Sequence, residues 1–287
     1  PDLCQEGRVA DLMLTKVEVR TDQGALLTLP LQDISQGLIV ESIEGLDPVK
    51  ATIVSSSFAQ LDGEHYQSAR REKRNIIINL ALEPGYAGGS VRGLRNLLYQ
   101  FFMTKQRVRL RFFSVGQPTV DIEGRIESFD APKFAKEPTA KISILCFNPD
   151  FFTPDLVTIN GDTVATGTET THQYPGSVET GFVFKLFPNR DISEFTIYHR
   201  PSDDSLRALE FQSPTPMIAG DVLAISTQPG NKYATLTRAG VAASILYGIS
   251  PQSNWINLFP GPNKLRVYAE GAAVPDSIEY TTKFGVF

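Results

Sequence analysis

The sequence has little sulfur and no long apolar stretch. Its 287 residues include only two cysteines, Cys4 and Cys146, whose spacing matches neither a metal-binding motif nor a disulfide scaffold. No apolar run approaches the ~20 residues that a membrane-spanning helix needs. The first residues also lack the basic and apolar regions of a signal peptide. We therefore expect a protein with no membrane span, made and folded in a cytosol with reduced thiols; the role of the two cysteines stays open.

The sequence also lacks the motifs of common catalytic sites. It has no nucleophile elbow, P-loop, dinucleotide fingerprint or zincin helix. Its three histidines are far apart and have no second ligand type at metal spacing: His65, His172 and His199. The closely spaced carboxylates are Asp121 with Glu123, and Asp203 with Asp204. We expect no enzyme, metal or cofactor, although a hydrolase would remain possible if two carboxylates faced each other across a cleft.

Positive charge is scarce overall but concentrated in one segment. The net charge is −5, yet residues 70–111 carry ten Lys and Arg against two Glu, a local charge of +8 that leaves −13 for the rest. Six arginines of this segment are candidates for an interface with another subunit or partner protein: Arg70, Arg71, Arg74, Arg107, Arg109 and Arg111. A solvated face is the alternative. Sequence-specific binding of nucleic acid is not expected, because no stacking aromatics are interleaved with the arginines.

One helix and its two flanking strands organise the first part of the chain. Apolar residues recur at helical spacing between Val91 and Phe102, and Ser90 can act as the N-cap, which predicts a helix over residues 90–104. Upstream, the β-branched run 75–82 predicts a buried strand. Downstream, strict alternation over 107–113 predicts a strand with apolar residues on one face and three arginines on the other. We expect the helix to cover one face of a sheet.

Turn residues divide the rest of the first 150 residues into strands. The segments 12–19 and 25–29 predict a hairpin, 37–43 and 49–54 two further strands, and 116–118 the turn of a second hairpin with 120–129. The run Lys141–Phe147 predicts a last strand, after which Pro149 and Pro154 indicate a boundary. We therefore predict an N-terminal β-sandwich domain with one helix over 1–150 and a second domain over 151–287.

The second domain has no helical period of useful length. Short strands are predicted between turn residues at 181–187, 194–198, 206–211, 221–225, 233–237, 244–247, 263–268 and 277–280. This spacing is typical of an antiparallel β-sandwich. The whole chain is thus predicted to be mainly β.

Several of these segments, taken in order, resemble the distal tail protein (Dit) family of long-tailed bacteriophages. In the first domain the resemblance depends on 61–63 (Leu-Asp-Gly), 75–80, the helix ending Leu97-Leu98, 123–128, and 141–146 followed by 148–152. In the second it depends on 220–222 (Gly-Asp-Val) and 258–263 (Leu-Phe-Pro-Gly-Pro-Asn). The resemblance covers most of the chain.

The resemblance implies a structural virion protein. Six copies would form a homohexameric ring at the distal end of the tail, assembled in the bacterial host cytoplasm. The partners it implies are the tail tube protein on one side and the tail-tip or baseplate hub protein on the other. The basic strand and the acidic remainder are compatible with contacts between copies, as are sheet edges that pair between them.

A carbohydrate-binding module on a tail scaffold is the alternative function. In this family the C-terminal sandwich looks like a galectin or carbohydrate-binding module, and sugar sites usually present an exposed aromatic ring. The candidates for contact with a host-surface glycan are Tyr174, Tyr198 and Trp255. A structural role is the interpretation that we favour for all three, since the neighbours of Trp255 are apolar.

Overall fold

The structure, a computed structural model, describes residues 14–58 and 62–287. The chain forms two compact units, one of residues up to Pro154 together with Gly285–Phe287, the other of Asp155–Phe284. The prediction of a mainly β fold with antiparallel sheets is confirmed. Cys4, Leu12 and Leu61, which the sequence analysis used, lie outside the described residues.

The first unit is a β-structure with one helix of more than one turn. Its strands are β1 (Leu14–Thr21), β2 (Leu26–Pro30), β3 (Leu38–Glu44), β4 (Ala51–Ser56), β5 (His65–Arg71), β6 (Arg74–Leu82), β7 (Arg107–Ser114), β8 (Val120–Asp130) and β9 (Thr139–Cys146). Their order by pairing is β2-β1-β7-β8-β9-β6-β3, and every pair is antiparallel. The hairpin β4–β5 forms a separate two-stranded sheet. The predicted buried strand 75–82 corresponds to β6, which begins at Arg74, whereas Arg70 and Arg71 belong to β5 in the other sheet.

The predicted helix is present but ends three residues earlier than expected. Helix α2 spans Val91–Phe101, and the Ser90 hydroxyl accepts a hydrogen bond from the Gly93 N–H at 3.1 Å, as an N-cap does. Its stripe buries Leu94, Leu98 and Phe101. A one-turn helix, α1 (Pro84–Ala87), precedes it and was not predicted. Most of the stability of a helix in a protein comes from the packing of its apolar face. Helix α2 accordingly ends at Phe101, a buried residue of the stripe, and not at the end of the predicted segment.

The second unit is a sandwich of two sheets. The strand β10 (Phe151–Asp162) begins before the unit boundary and continues through Pro154, where the sequence predicted that pairing would stop. The other strands are β11 (Thr170–Tyr174), β12 (Val183–Leu186), β13 (Ile192–Arg200), β14 (Arg207–Met217), β15 (Val222–Ser226), β16 (Tyr233–Arg238), β17 (Val241–Ser244), β18 (Gly261–Tyr268) and β19 (Pro275–Phe284). One sheet has the order β17-β16-β15-β12-β19-β10, the other β11-β18-β13-β14.

The core of the second unit lies between these two sheets. Along β13, β14 and β18, alternate side chains such as Phe195, Leu209 and Val267 are buried. The residues between them point to the opposite face of the sheet. The predicted strand 244–247 is wrong, because β17 ends at Ser244 and Leu246–Gly248 form a 3₁₀ turn.

Candidate subunit interface

The three arginines of β7 lie on the outward face of the first unit, as the alternation predicted. Val108, Leu110 and Phe112 are buried, while the arginines point the other way. In the β7–β8 hairpin, Arg109 lies directly opposite Glu123, and Arg111 directly opposite Asp121. Directly opposite residues of an antiparallel pair share one face of the sheet. Arg109 and Arg111 therefore each meet a carboxylate of their own chain, while Arg107 lies opposite Arg125.

The contacts between these two strands neutralise most of the positive charge. Arg111 donates two hydrogen bonds to Asp121, from Nε at 2.6 Å and from Nη2 at 2.9 Å. Glu123 accepts from both Arg107 and Arg109, with the Arg109 Nε at 2.9 Å. Burial opposes the ionised form of Glu123, but these hydrogen bonds outweigh it and hold the pKa of the carboxyl below its usual value. This face is a set of ion pairs rather than an exposed positive belt.

The same contacts explain the carboxylates Asp121 and Glu123. Sequence alone left open whether two carboxylates could face each other across a cleft, as in a glycosidase. In the structure both carboxylates form ion pairs with arginines of β7, so they do not face each other across an open cleft. Asp203 accepts from the hydroxyl and the N–H of Ser205 within an exposed loop.

Arg74 cannot contact a partner surface, because it is buried in the first unit with only 1% of its surface exposed. Its guanidinium donates to four backbone carbonyls, those of Pro149 at 2.8 Å, Gly45 at 2.5 Å, Asp47 at 2.6 Å and Gly285 at 2.7 Å. Burial lowers the pKa of this guanidinium from its usual value. Arg74 is a structural clip, a side chain whose hydrogen bonds join three separate chain segments of the first unit. The prediction that Arg74 belongs to an interface is therefore wrong.

A glycine makes one part of this clip possible. Gly45 has a φ of +87°, and a Cβ there would collide with the carbonyl oxygen of Asn75. Only glycine combines this left-handed backbone with such a close approach. The turn thereby directs the Gly45 carbonyl at Arg74.

The β4–β5 hairpin is the most exposed element of the first unit. All of β5 is exposed, and so are three apolar side chains of the hairpin, Ile53 (66%), Val54 (45%) and Tyr66 (61%). Among the described residues, no further strand pairs with either strand. An isolated two-stranded hairpin is only marginally stable in water. Ile53 and Val54 follow each other in β4 and so expose apolar side chains on opposite faces of the hairpin, and exposed apolar surface of this kind is typical of a protein–protein contact.

Arg70 and Arg71 belong to this hairpin. Both are exposed at the end of β5. Arg71 forms a two-pronged ion pair with Asp150, in which Nη2 donates to Oδ2 at 3.0 Å. Arg71 therefore anchors the base of the hairpin to Asp150. Arg70 is exposed and stays a candidate for contact with another subunit. The sequence analysis predicted a strand over 49–54, which includes Ile53 and Val54, but not the strand β5 that pairs with it and carries Tyr66.

Of the three aromatic candidates for a glycan contact, Tyr174 presents no ring to solvent. It is 1% exposed, its hydroxyl donates to the Val178 carbonyl at 2.9 Å, and it accepts from the Lys283 N–H at 2.8 Å. Trp255 is half-buried against the core of the second unit. The Lys232 ammonium lies 4.9 Å from the centre of its ring. These placements agree with structural roles.

Tyr198 is placed differently. It lies half-buried on the outward face of β13, with the Arg266 guanidinium 4.2 Å from its ring centre. It also lines a groove on that face together with two other tyrosines that the sequence analysis did not select, Tyr247 and Tyr268.

Membrane-spanning helices and clusters of metal ligands are two further features that would indicate other classes of function. Within residues 14–58 and 62–287, no helix has the length and apolarity to cross a bilayer. In the same residues, no cluster of three or more His, Cys, Asp or Glu is arranged to hold a metal ion. The thiol of Cys146 is buried, and burial raises its pKa to about 12.

Comparison with known proteins was made at the level of sequence family and of fold. Residues 175–284 match the family described as "Siphovirus-type tail component, C-terminal domain". A search of curated protein sequences found no match. The structure is similar to the Dit protein of phage SPP1, with a TM-score of 0.66 and 15% identity over 93% of this chain and 99% of that one. The SPP1 Dit protein is known as a paradigm of the hub adsorption apparatus in phages that infect Gram-positive bacteria.

A second similar structure is a chain of the phage P2 baseplate, with a TM-score of 0.49 and 10% identity over 95% of this chain and 99% of that one. The similarity to the SPP1 protein shows that the chain has the Dit fold, and residues 175–284 of its second unit match the tail-component domain. The resemblance predicted from the sequence is confirmed, and it supports a structural component of a siphovirus-type tail.

Proposed function

We propose that the chain forms a homohexameric ring at the distal end of a phage tail and joins the tail tube protein to the tail-tip or baseplate hub protein. The role is structural, and we assign it no reaction and no cofactor. Assembly would take place in the host cytoplasm before the tail is complete. The six-fold count comes from the family resemblance, whereas the mode of contact is argued from the hairpin.

The observation that carries the proposal is the exposed β4–β5 hairpin. Its apolar side chains have no cover in the first unit, although an exposed hairpin of this kind needs a second surface to be stable. A second copy of the chain is the occupant that we propose. Because the hairpin would contact a different surface on its neighbour, the contact is head-to-tail, and such contacts close into rings when the rotation permits.

Electrostatics support the same occupant. The hairpin carries Arg70 and Arg71, while residues outside 70–111 sum to −13. Opposite charges on the two contacting surfaces would speed association and fix its register. The arginines of β7 contribute less, because Asp121 and Glu123 already neutralise much of their charge.

The decisive test is the mass of the purified protein and of two matched variants. Light scattering and negative-stain imaging of the wild type should show six copies in a ring. Ile53→Asp places a charge on the hairpin and should leave monomers that keep the wild-type circular dichroism spectrum. Val241→Asp is the control, since Val241 is 70% exposed on another hairpin, in the second unit, and its ring should persist. A monomeric wild type, or an intact ring for Ile53→Asp, would contradict the proposal.

A second variant tests the arginine strand. Substituting Arg107, Arg109 and Arg111 by Glu should weaken the ring if these residues also contact the neighbouring copy or the tail tube. Circular dichroism must show that the variant remains folded, because the change removes ion pairs with Asp121 and Glu123. Recovery of intact rings would rule out an essential role of this strand in ring assembly.

A further inference from the structure

The outward face of β13, β14 and β18 in the second unit contains a groove of about 580 Å³. This volume is in the range of sites that bind small molecules and short oligomers, about 300–1,000 Å³. Three tyrosines contribute to its lining, Tyr198 and Tyr268 from the sheet and Tyr247 from the 3₁₀ turn. Tyr247 is 69% exposed, so its ring stands at the rim of the groove.

The turn that carries Tyr247 is held against the sheet by a close backbone approach. A Cβ at Gly248 would lie 2.6 Å from the Phe211 ring and 3.0 Å from the Gln212 carbonyl oxygen, so a larger residue would push the turn away. Beyond the turn, the Ser250 N–H donates to the Glu210 carbonyl at 3.0 Å. The position of Tyr247 over the groove is therefore fixed by the fold rather than left to a free loop.

The polar side chains of the groove are mainly acceptors. They include Glu194, Glu210, Glu270, Gln212 and Thr196. No Lys or Arg is among the residues that line the groove, although the Arg266 guanidinium lies 4.2 Å from the ring centre of Tyr198 and 5.9 Å from that of Tyr268. Within the described residues, none of the three carboxylates forms an ion pair. Ionised carboxylates accept hydrogen bonds and donate none. The groove therefore suits a ligand rich in hydroxyl donors and repels phosphate or other anionic groups.

The edge of the sheet beside the groove is not open to an added peptide strand. The segment 249–254 runs along β14, where the Ser250 and Asn254 N–H groups donate to the Glu210 and Ala208 carbonyls at 3.0 and 2.8 Å. Recognition of an extended peptide through its backbone requires a free edge of this kind. The groove therefore offers side-chain contacts only, namely aromatic faces and carboxylate or amide oxygens.

From this lining we infer that the groove binds a neutral saccharide, whose apolar ring face packs on Tyr247 and Tyr268 while its hydroxyls donate to the carboxylates of Glu194 and Glu210. Aromatic side chains contribute a large packing area and a polar end in such sites. A glycosidase would need one carboxylic acid kept protonated by burial. Glu194, Glu210 and Glu270 are all exposed, so the groove favours binding over hydrolysis.

The inference goes beyond the ring and does not depend on it, because every residue that carries it lies in the second unit. Tyr198 was one of the three tyrosine or tryptophan candidates from the sequence. The fold supplies Tyr247 and Tyr268 in place of Tyr174 and Trp255.

The test is a glycan array probed with the full-length chain and carrying neutral, phosphate-bearing and sulfate-bearing oligosaccharides. Neutral oligosaccharides should be retained and the anionic ones should not. Isothermal titration with the best neutral ligand should then show that Tyr247→Ala weakens binding about tenfold. Tyr86→Ala is the matched control, since Tyr86 is 57% exposed in the first unit, and its affinity should be unchanged.

Further outcomes decide the identity of the ligand. Glu210→Gln should also weaken binding of the neutral saccharide. A silent array, retention of anionic glycans only, or equal affinities for Tyr247→Ala and wild type would overturn the inference. Binding of a tetralysine peptide that is lost in Glu194→Gln and Glu210→Gln, with no saccharide bound, would instead identify a docking site for a basic protein segment. The oligomeric mass of Tyr247→Ala should equal that of the wild type, which separates this result from the test of the ring.

Discussion

The outward face of β7 and β8 in the first unit and the outward face of β13, β14 and β18 in the second unit both carry many charges, but they differ in how the charges are paired. In the first, arginines and carboxylates on adjacent strands neutralise each other. In the second, Glu194, Glu210 and Glu270 line a groove and form no ion pair within the described residues. A count of charges along the sequence therefore says little about the potential that a surface presents.

The buried ions of the two units show the same contrast more sharply. Arg74 in the first unit has four carbonyl acceptors around its guanidinium. Asp276 in the second unit is 6% exposed, and its Oδ2 has no hydrogen-bond partner. Burial and the nearby charge of Asp162 raise the pKa of the Asp276 carboxyl to about 7. Four of the five guanidinium N–H groups of Arg74 have carbonyl acceptors, whereas burial of the Asp276 carboxyl favours its protonated form.

The largest expected effect comes from breaking the satisfied ion. Arg74→Met should lower the free energy of unfolding by about 3–5 kcal/mol, because it leaves several buried carbonyls without a donor. Urea denaturation followed by far-UV circular dichroism measures the loss. Arg70→Met, at an exposed position four residues earlier, is the control and should change the free energy by less than about 0.5 kcal/mol. Similar losses for the two variants would show that Arg74 is not a clip.

Removing the buried carboxylate of Asp276 should change the free energy of unfolding in the opposite direction. Asp276→Asn should raise the free energy of unfolding by on the order of 2 kcal/mol at pH 8, because it removes a buried charge. The folded pKa of about 7 lies above the usual 3.8, so the folded state binds the extra proton and wild-type stability falls as pH rises between these values. The advantage of the variant should therefore be small near pH 4 and full above pH 7.

Trp255 provides the measurement for this variant. It is the only tryptophan of the chain and packs against the core of the second unit, so its fluorescence reports the unfolding of that unit. Denaturation curves at pH 5 and pH 8 should differ more for the wild type than for Asp276→Asn. Equal pH dependence of the two proteins would mean that Asp276 is not the group responsible.

The smallest effect is expected on the neutralised outward face. Glu123→Gln should cost about 0.5 kcal/mol at pH 7, because ion pairs at a partly exposed site contribute little. Since hydrogen bonds from Arg107 and Arg109 lower the folded pKa of Glu123, its contribution is present above the usual 4.5 and is lost as pH falls through the lower folded value. The difference between Glu123→Gln and wild type should thus shrink in acid.

Glu41→Gln, at an exposed position of β3, is the control for this measurement and should change the free energy by less than Glu123→Gln does. A loss of several kcal/mol for Glu123→Gln would mean that the outward face of β7 and β8 is more than a set of surface ion pairs.

Much of the pairing of β7 with β8 was within reach of the sequence. The turn at 116–118 was predicted, but a hairpin centred on residue 117 would place Arg111 opposite Glu123 and Arg109 opposite Arg125. In the structure the pairing is centred on residue 116, which places Arg111 opposite Asp121 and Arg109 opposite Glu123. The hairpin itself was therefore predictable, whereas the partner of each arginine depends on a register that the predicted turn misses by one residue. The fate of Arg74 was out of reach, because its acceptors come from residues 45–47, 149 and 285, which are separated by long stretches of sequence.

By itself, the sequence determined the local features of this protein: the capped helix that begins at Val91, the alternation of β7, and the short β-strands of the second unit. These depend on side-chain periodicity, capping and turn chemistry, which act over a few residues. Only the tertiary structure decided which charges are paired, which tyrosines share a groove and which hairpin stands uncovered. Such groupings depend on strand register and on contacts between distant segments, which no local pattern encodes.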